Sequence, residues 1–317
     1  MKTIWMYAGQ GSQRAGMGKD FYETFQEYRQ VIDSLNLSFD IKKMMHEGEL
    51  EELSRTKYTQ PCMAAFGAGV TAVLKANGIL PDGACGLSLG EYGALHAAGV
   101  FDADTYVRLV EFRGQAMEKA AQEQSQKGNL CSMSAILGLP EEDVKAVCEN
   151  SGDAGFVVPV NFNCPGQCVI CGDEEAVRKA EDEAKKRGAK RCIRLNVGGP
   201  FHTRYMEKAG KELEAFLQQV KFETPQIPIA LNATGEIYTT RDQDLKALLV
   251  KQIQSSVYFE KDVRAFLEAG ADTFVEIGPG NALAGFVRKT AKAMGKTVAT
   301  VNLDKAEDLQ QLLEHRV

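Results

Sequence analysis

Apolar positions along this chain fall into two textures. Residues 3–8 carry an unbroken hydrophobic run, Ile4 to Ala8, that ends in glycine, which predicts a short strand buried on both faces. Residues 21–53 instead repeat apolar positions at helical spacing among charges, which predicts surface helices, and residues 60–77 predict a long apolar helix. Residues 83–85 read as a short strand of poor propensity that runs into a turn, a helix over residues 89–98, and a further helix over residues 104–121. Between residues 128 and 197 the pattern becomes strand (132–137), helix (140–150), strands (157–162 and 167–171), helix (174–187) and strand (190–195). That βαββαβ order is the split, ferredoxin-like arrangement, compact enough to stand as a small inserted domain. The chain then returns through Gly198-Gly199-Pro200-Phe201-His202 to a helix ending near Gln219. Strands at 227–232 and 273–276, a helix at 287–294 and a last strand at 297–301 follow. The fold class is therefore α/β. A large, hydrolase-like domain with a parallel sheet covers residues 1–127 and 198–317, and residues 128–197 form the insert.

Bulk composition excludes several classes. The 317 residues suffice for one large domain carrying a smaller one, and 44% hydrophobic with 25% charged residues describes an ordinary globular protein. No apolar run approaches the ~20 residues that span a bilayer, and the first eight residues are too short an apolar stretch for a secretory signal, so a cytoplasmic protein is expected. A net charge of −6 argues against a general nucleic-acid binder. Eight cysteines lack framework spacing and read as reduced thiols. Cys168-Val169-Ile170-Cys171 is formally CxxC, but in a strand its two thiols point to opposite faces and no histidine is near, so it is not expected to bind a metal.

Candidate chemistry centres on Gly86-Leu87-Ser88-Leu89-Gly90-Glu91. A serine flanked by glycines two residues away on either side suits a strand-to-helix elbow. The tight turn excludes side chains at the flanks and exposes the hydroxyl as a nucleophile. The same residues satisfy Ser-x-x-Glu, a capping box with no chemistry. A general base must come from four histidines. His46 lies in a charged helical region, His315 two residues from the carboxyl end, and His96 two turns beyond Ser88 on the same helix. His202 opens a helix from a Gly-Gly-Pro turn far downstream, as expected when nucleophile and base meet only in the fold; the alternative is a helix-capping or surface histidine. The loop Gly9-Gln10-Gly11-Ser12-Gln13 fits neither a dinucleotide nor a Walker loop.

Taken together, Gly9-Gln10-Gly11-Ser12-Gln13, Gly86 to Tyr92, Arg113-Gly114, Asn161 to Gln167, Pro200-Phe201-His202 and Glu276-Ile277-Gly278-Pro279-Gly280 resemble the malonyl-CoA:acyl carrier protein transacylases, in the acyltransferase family of fatty acid and polyketide synthesis. The resemblance runs in order over nearly the whole chain. It implies ping-pong acyl transfer from malonyl-CoA through a malonyl-Ser88 intermediate to the phosphopantetheine thiol of a carrier protein, with His202 as base and no cofactor. It further implies an oxyanion hole from the backbone N–H groups of Gln10 and Leu89, and a histidine oriented by the carbonyl of Gln252. Arg113, otherwise readable as a solvated surface residue, matches the arginine that forks onto the malonyl carboxylate. Met117, Asn163 and Phe201 join it as substrate-binding residues, with Phe201 crowding an α-methyl group so that malonyl is preferred over methylmalonyl.

Two positions depart from the family pattern: Leu87 stands where histidine is usual, making a polar pocket wall apolar, and Ala8 where proline is usual. Lys185, Lys186, Arg187, Lys190, Arg191 and Arg194 place six cations in ten residues. Such a run is commonly a solvated face; here Lys190 and Arg191 are expected to steer an acidic carrier protein or the CoA phosphates. A monomer is expected, without nucleic-acid or membrane partners. The competing functions are a trans-acting polyketide acyltransferase and an acyl hydrolase or esterase on the same scaffold; the hydrolase predicts a carboxylate orienting His202 and needs no buried cation.

Overall fold

The fold is built on a strand whose two faces are both covered. In the computed structural model, which describes residues 2–195, 198–238 and 244–314, β1 (Thr3–Tyr7) sends Trp5 and Tyr7 into one buried cluster and Ile4 and Met6 into another. That period-2 split is why the run carries no polar alternation. Helices α1 (Lys19–Thr24), α2 (Gln26–Ser34), α3 (Ile41–Glu47) and α4 (Leu50–Leu53) follow, and α5 (Thr56–Ala76) is buried along most of its length. Then come β2 (Gly83–Gly86), α6 (Gly90–Ala97) and α7 (Ala103–Gln126). Next come β3 (Cys131–Leu137), α8 (Glu141–Asn150), β4 (Val157–Cys164), β5 (Gln167–Asp173), α9 (Glu174–Lys186) and β6 (Arg191–Arg194). The return adds α10 (Glu207–Leu217), β7 (Ala230–Leu231), β8 (Glu236–Ile237), α11 (Leu245–Gln254), α12 (Phe259–Glu268), β9 (Thr273–Ile277), α13 (Ala282–Ala293), β10 (Ala299–Leu303) and α14 (Ala306–Glu314).

Two sheets organise these elements. The first is parallel, in the order β10-β9-β1-β2, with Tyr7 level with Gly86 on one side and Ile277 on the other. The second is antiparallel, in the order β4-β5-β3-β6. Along β5, Cys168 and Ile170 pack among residues of α8 and α9, whereas Val169 and Cys171 join the main core, so the two cysteines of the CxxC spacing do face opposite ways. The parallel sheet ends its strands at the Gly9, Ser88 and Gly278 loops, and the second sheet closes over that edge, which is where open α/β sheets bind ligands. No helix among the described residues is long and apolar enough to cross a membrane.

The expected strand at 227–232 forms only in its second half: Pro228 has no N–H to donate, Ile229 makes a single parallel bridge to Ala84, and Ala230–Leu231 are β7 of the short β7–β8 hairpin. The sequence reading assigns no element to α11, α12 or α14. In α12 the signal exists, since Phe259, Val263, Phe266 and Leu267 recur at helical spacing and are all buried.

Candidate active site

Both flanking glycines of the elbow are required by sterics. A methyl group on Gly86 would sit 2.1 Å from the Gly90 carbonyl, and one on Gly90 would sit 2.1 Å from the Tyr7 carbonyl oxygen. Between them Ser88 takes φ 55°, and His202 takes φ 60°; these are the two non-glycine residues with positive φ among the described residues. Each left-handed residue costs ~1–3 kcal/mol and persists only where surrounding bonds hold it. The capping-box alternative fails here. Turned into this conformation, Ser88 donates its N–H to Asn232 Oδ1 at 2.7 Å, and Glu91 reaches the Asn232 N–H at 2.6 Å instead of closing on Ser88.

Ser88 Oγ lies 2.7 Å from His202 Nε2, and His202 Nδ1 lies 2.8 Å from the Gln252 carbonyl oxygen. A carbonyl can only accept, so Nδ1 carries the proton and Nε2 presents its lone pair to the serine hydroxyl. Burial, followed by the nearby Arg113 charge, pushes the imidazole down to about 4, against the pull of the Gln252 carbonyl. His202 is consequently neutral at physiological pH and able to take a proton. His46 and His96 lie elsewhere: His96 is buried and bonded to the Phe101 carbonyl, and His46 is half-buried on α3. His315 lies outside the described residues.

Arg113, on the buried face of α7 with Met117, is 0% exposed. Its Nη1 donates to Gln60 Oε1 at 2.7 Å, and its Nη2 to Gln252 Oε1 at 2.9 Å and to Ser88 Oγ at 3.1 Å. The guanidinium lies over the Tyr92 ring, 5.4 Å from its centroid. No carboxylate among the described residues forms an ion pair with it. Burial lowers its pKa, and Tyr92 and then the field of Glu91 partly offset this. The solvated-surface alternative for this arginine is thereby excluded, and hydroxyl, imidazole and guanidinium meet at one point. Gln60, which holds the cation from α5, carries no motif and went unread in the sequence; only its contact reveals it.

A cavity of about 150 Å³ opens on Ser88 and His202. Gln10, Met117, Asn163 and Phe201 line it, together with Gln60, Leu87, Asn161 and three apolar residues, Met133, Val169 and Leu195. Leu87 indeed gives an apolar wall. Arg113 is not among the lining residues; it bonds two that are, Gln60 and Ser88. The backbone N–H groups of Gln10 and Leu89 donate to no acceptor among the described residues. Asn163 Oδ1 is likewise buried without a partner. Two free N–H groups beside a hydroxyl that is bonded to an imidazole lone pair are the elements of acyl transfer through a tetrahedral oxyanion.

Residues 4–313 match the family model described as the acyl transferase domain. The malonyl CoA-acyl carrier protein transacylase of Bacillus subtilis (strain 168) is 36% identical over 316 residues, covering 99% of this chain and 98% of that protein. The crystal structure of the malonyl CoA-acyl carrier protein transacylase from Clostridium perfringens matches with a TM-score of 0.91 at 34% identity, over 99% of this chain and 96% of that one. A malonyl-transacylase solved in complex with a type II PKS acyl-carrier protein matches with a TM-score of 0.91 at 32% identity, over 100% of each chain.

Proposed function

The chain belongs to the malonyl CoA-acyl carrier protein transacylases of the acyl transferase domain family, and on that premise we propose that it carries a malonyl group from malonyl-CoA to the phosphopantetheine thiol of a carrier protein in fatty acid synthesis, through malonyl-Ser88. The observation that carries this reading is Ser88 Oγ held between His202 Nε2 and Arg113 Nη2. As Oγ attacks the thioester carbonyl, its proton passes to Nε2 and the oxyanion turns toward the N–H groups of Gln10 and Leu89. Loss of one such donor typically costs ~10²–10³ in rate. The tetrahedral intermediate collapses by breaking the C–S bond, and CoA leaves with the proton from Nε2. The carrier thiol then gives its proton to Nε2, attacks the malonyl ester and releases Ser88, which recovers that proton.

Arg113 selects the acyl group. A carboxylate reaching it from the cavity displaces Gln60 Oε1 and gains a charge-assisted fork in a dry site, while Phe201 crowds an α-methyl. No cofactor is needed beyond the two substrates. The competing hydrolase reading predicts a carboxylate on His202 Nδ1, where this chain has a backbone carbonyl. We read residues 1–127 and 198–317 as the hydrolase-like catalytic domain and 128–197 as a ferredoxin-like insert. The β4-β5-β3-β6 order supports that division. The protein acts as a cytoplasmic monomer. Incubation with a panel of acyl-CoAs, followed by a fatty-acid or a polyketide carrier, tests the function by intact mass. A malonyl adduct on the enzyme that moves to the fatty-acid carrier is expected; release as free malonate instead would make the protein a hydrolase.

The basic run resolves into paired and unpaired members. Lys185, Lys186 and Arg187 pair with Asp182, Glu183 and Asp143, and Arg194 with Glu174 and Glu181. Lys190 and Arg191, exposed at the β6 edge, have no ion pair among the described residues. They steer the acidic carrier. Lys190→Glu combined with Arg191→Glu is expected to slow carrier loading about tenfold at low salt and little at high salt, with malonylation of Ser88 unchanged. Equal loading rates at low salt would place docking elsewhere.

A further inference from the structure

Directly beneath the elbow lies a polar cluster that the reaction above does not use. Asn232, just after β7, Glu91 on α6 and Asp262 on α12 are all 0% exposed. Asn232 Nδ2 donates to Asp262 Oδ2 at 2.6 Å and to the Gly86 carbonyl at 2.8 Å, and its backbone N–H donates to Glu91 Oε2 at 2.6 Å. Its Oδ1 accepts from the Ser88 N–H at 2.7 Å and from Gln252 Nε2 at 3.5 Å. The amide has only one workable orientation. Flipped, it would set its oxygen against a carboxyl and a carbonyl and its NH₂ against the Ser88 N–H. Gln252 completes the grip, donating from Nε2 to the Ser88 carbonyl at 2.7 Å.

Burying two carboxyls so close together is unfavourable. Burial drives the Glu91 carboxyl up to about 8, even with the Asn232 N–H and the Arg113 charge pulling it down. Burial, then the charge of Glu91, drives the Asp262 carboxyl well above the usual carboxylate range. One oxygen of each has no partner among the described residues. A site that only needed packing would be better filled by apolar side chains, so these groups point to a demand for orientation.

We propose that Asn232 is a positioning residue for the reaction at Ser88, held in its one orientation by Asp262 and Glu91. By claiming the Ser88 N–H it locks the left-handed serine, aims Oγ at His202, and leaves the next N–H, that of Leu89, as the free donor for the oxyanion. The proposal rests on Ser88 being the nucleophile.

The test uses a fluorophosphonate, which reports serine nucleophilicity whatever the natural acyl group. Its second-order rate of labelling at Ser88 is followed by intact mass, below the melting point of every variant. Asn232→Ala is expected to label ~10²-fold more slowly, the usual penalty for a misplaced reacting group. Asn232→Asp, which sets a carboxylate against Asp262, is expected to be similarly slow. Combining Asn232→Asp with Asp262→Asn restores a donor–acceptor pair at that contact while leaving an oxygen against the Gly86 carbonyl, and should recover part of the labelling that Asn232→Asp loses. If Asn232→Ala does not fold, this isosteric pair decides. A purely structural role would lower Tm without slowing the label. Labelling of Asn232→Ala at the wild-type rate, or a double variant no faster than Asn232→Asp, would overturn the proposal. Wild-type protein that takes no label at Ser88 would remove the nucleophile reading and this proposal with it.

Discussion

Replacing Ser88 by alanine is expected to abolish the covalent malonyl adduct and to lower transfer to the carrier by at least ~10⁴, the scale on which nucleophile loss acts when the surrounding machinery is intact. The fold should survive. Gly86, Gly90 and the Asn232 bond to the backbone N–H hold the elbow, and none of them depends on the hydroxyl. What disappears is the one atom that bonds both His202 Nε2 and Arg113 Nη2. Intact-mass spectrometry after exposure to malonyl-CoA reads the result directly, and an adduct surviving in the alanine variant would place the nucleophile elsewhere.

Removing Arg113 should act on selectivity more than on chemistry. A charge-assisted contact in a buried site contributes ~1.5–3 kcal/mol, so Arg113→Ala is expected to lower malonyl kcat/KM by about 10- to 100-fold relative to acetyl and bring the two transfer rates together. Arg113→Lys keeps a charge but not the fork that spans Gln60 and Gln252, and it should restore the preference only in part. A second signature follows from electrostatics. The Arg113 charge is one of the causes that hold His202 down at about 4, so its loss raises the imidazole pKa. The acid limb of the acylation profile, where His202 becomes protonated and cannot accept the serine proton, should then move to higher pH in the alanine variant. Competition between malonyl-CoA and acetyl-CoA across pH measures both effects. An undiminished malonyl preference would displace Arg113 from substrate selection.

Several features of this arrangement were legible along the chain because their cause is local. The glycines around Ser88 are demanded by backbone contacts within the elbow and with the strand beside it. The run Ile4 to Tyr7 is apolar throughout because both faces of β1 are covered. His202 could be singled out because only four histidines exist and the other three sit in unsuitable places. Where one local pattern admitted two structures, the sequence did not choose. Ser88 to Glu91 reads as an elbow or as a capping box, and Arg113 as a surface cation or, by resemblance, as a buried fork. The α12 helix shows the opposite case, since its apolar spacing was present and went unassigned.

The amino-acid order by itself determined the buried, two-faced character of β1 and the βαββαβ order of elements between residues 128 and 197, since each follows from propensity and spacing within a few residues, and it narrowed the candidate nucleophile and base to Ser88 and His202. Only the tertiary structure decided which polar side chains serve the site. Gln60, Asn232 and Asp262 are ordinary residues in α5, after β7 and in α12, and they acquire roles because folding buries them where no water can satisfy Arg113, the Ser88 N–H or the Asn232 amide. A hydrogen bond across more than 140 residues of chain, such as Ser88 to Asn232, leaves no trace in local pattern. It is selected by the cost of burying an unpaired polar group, which exists only once the core has closed.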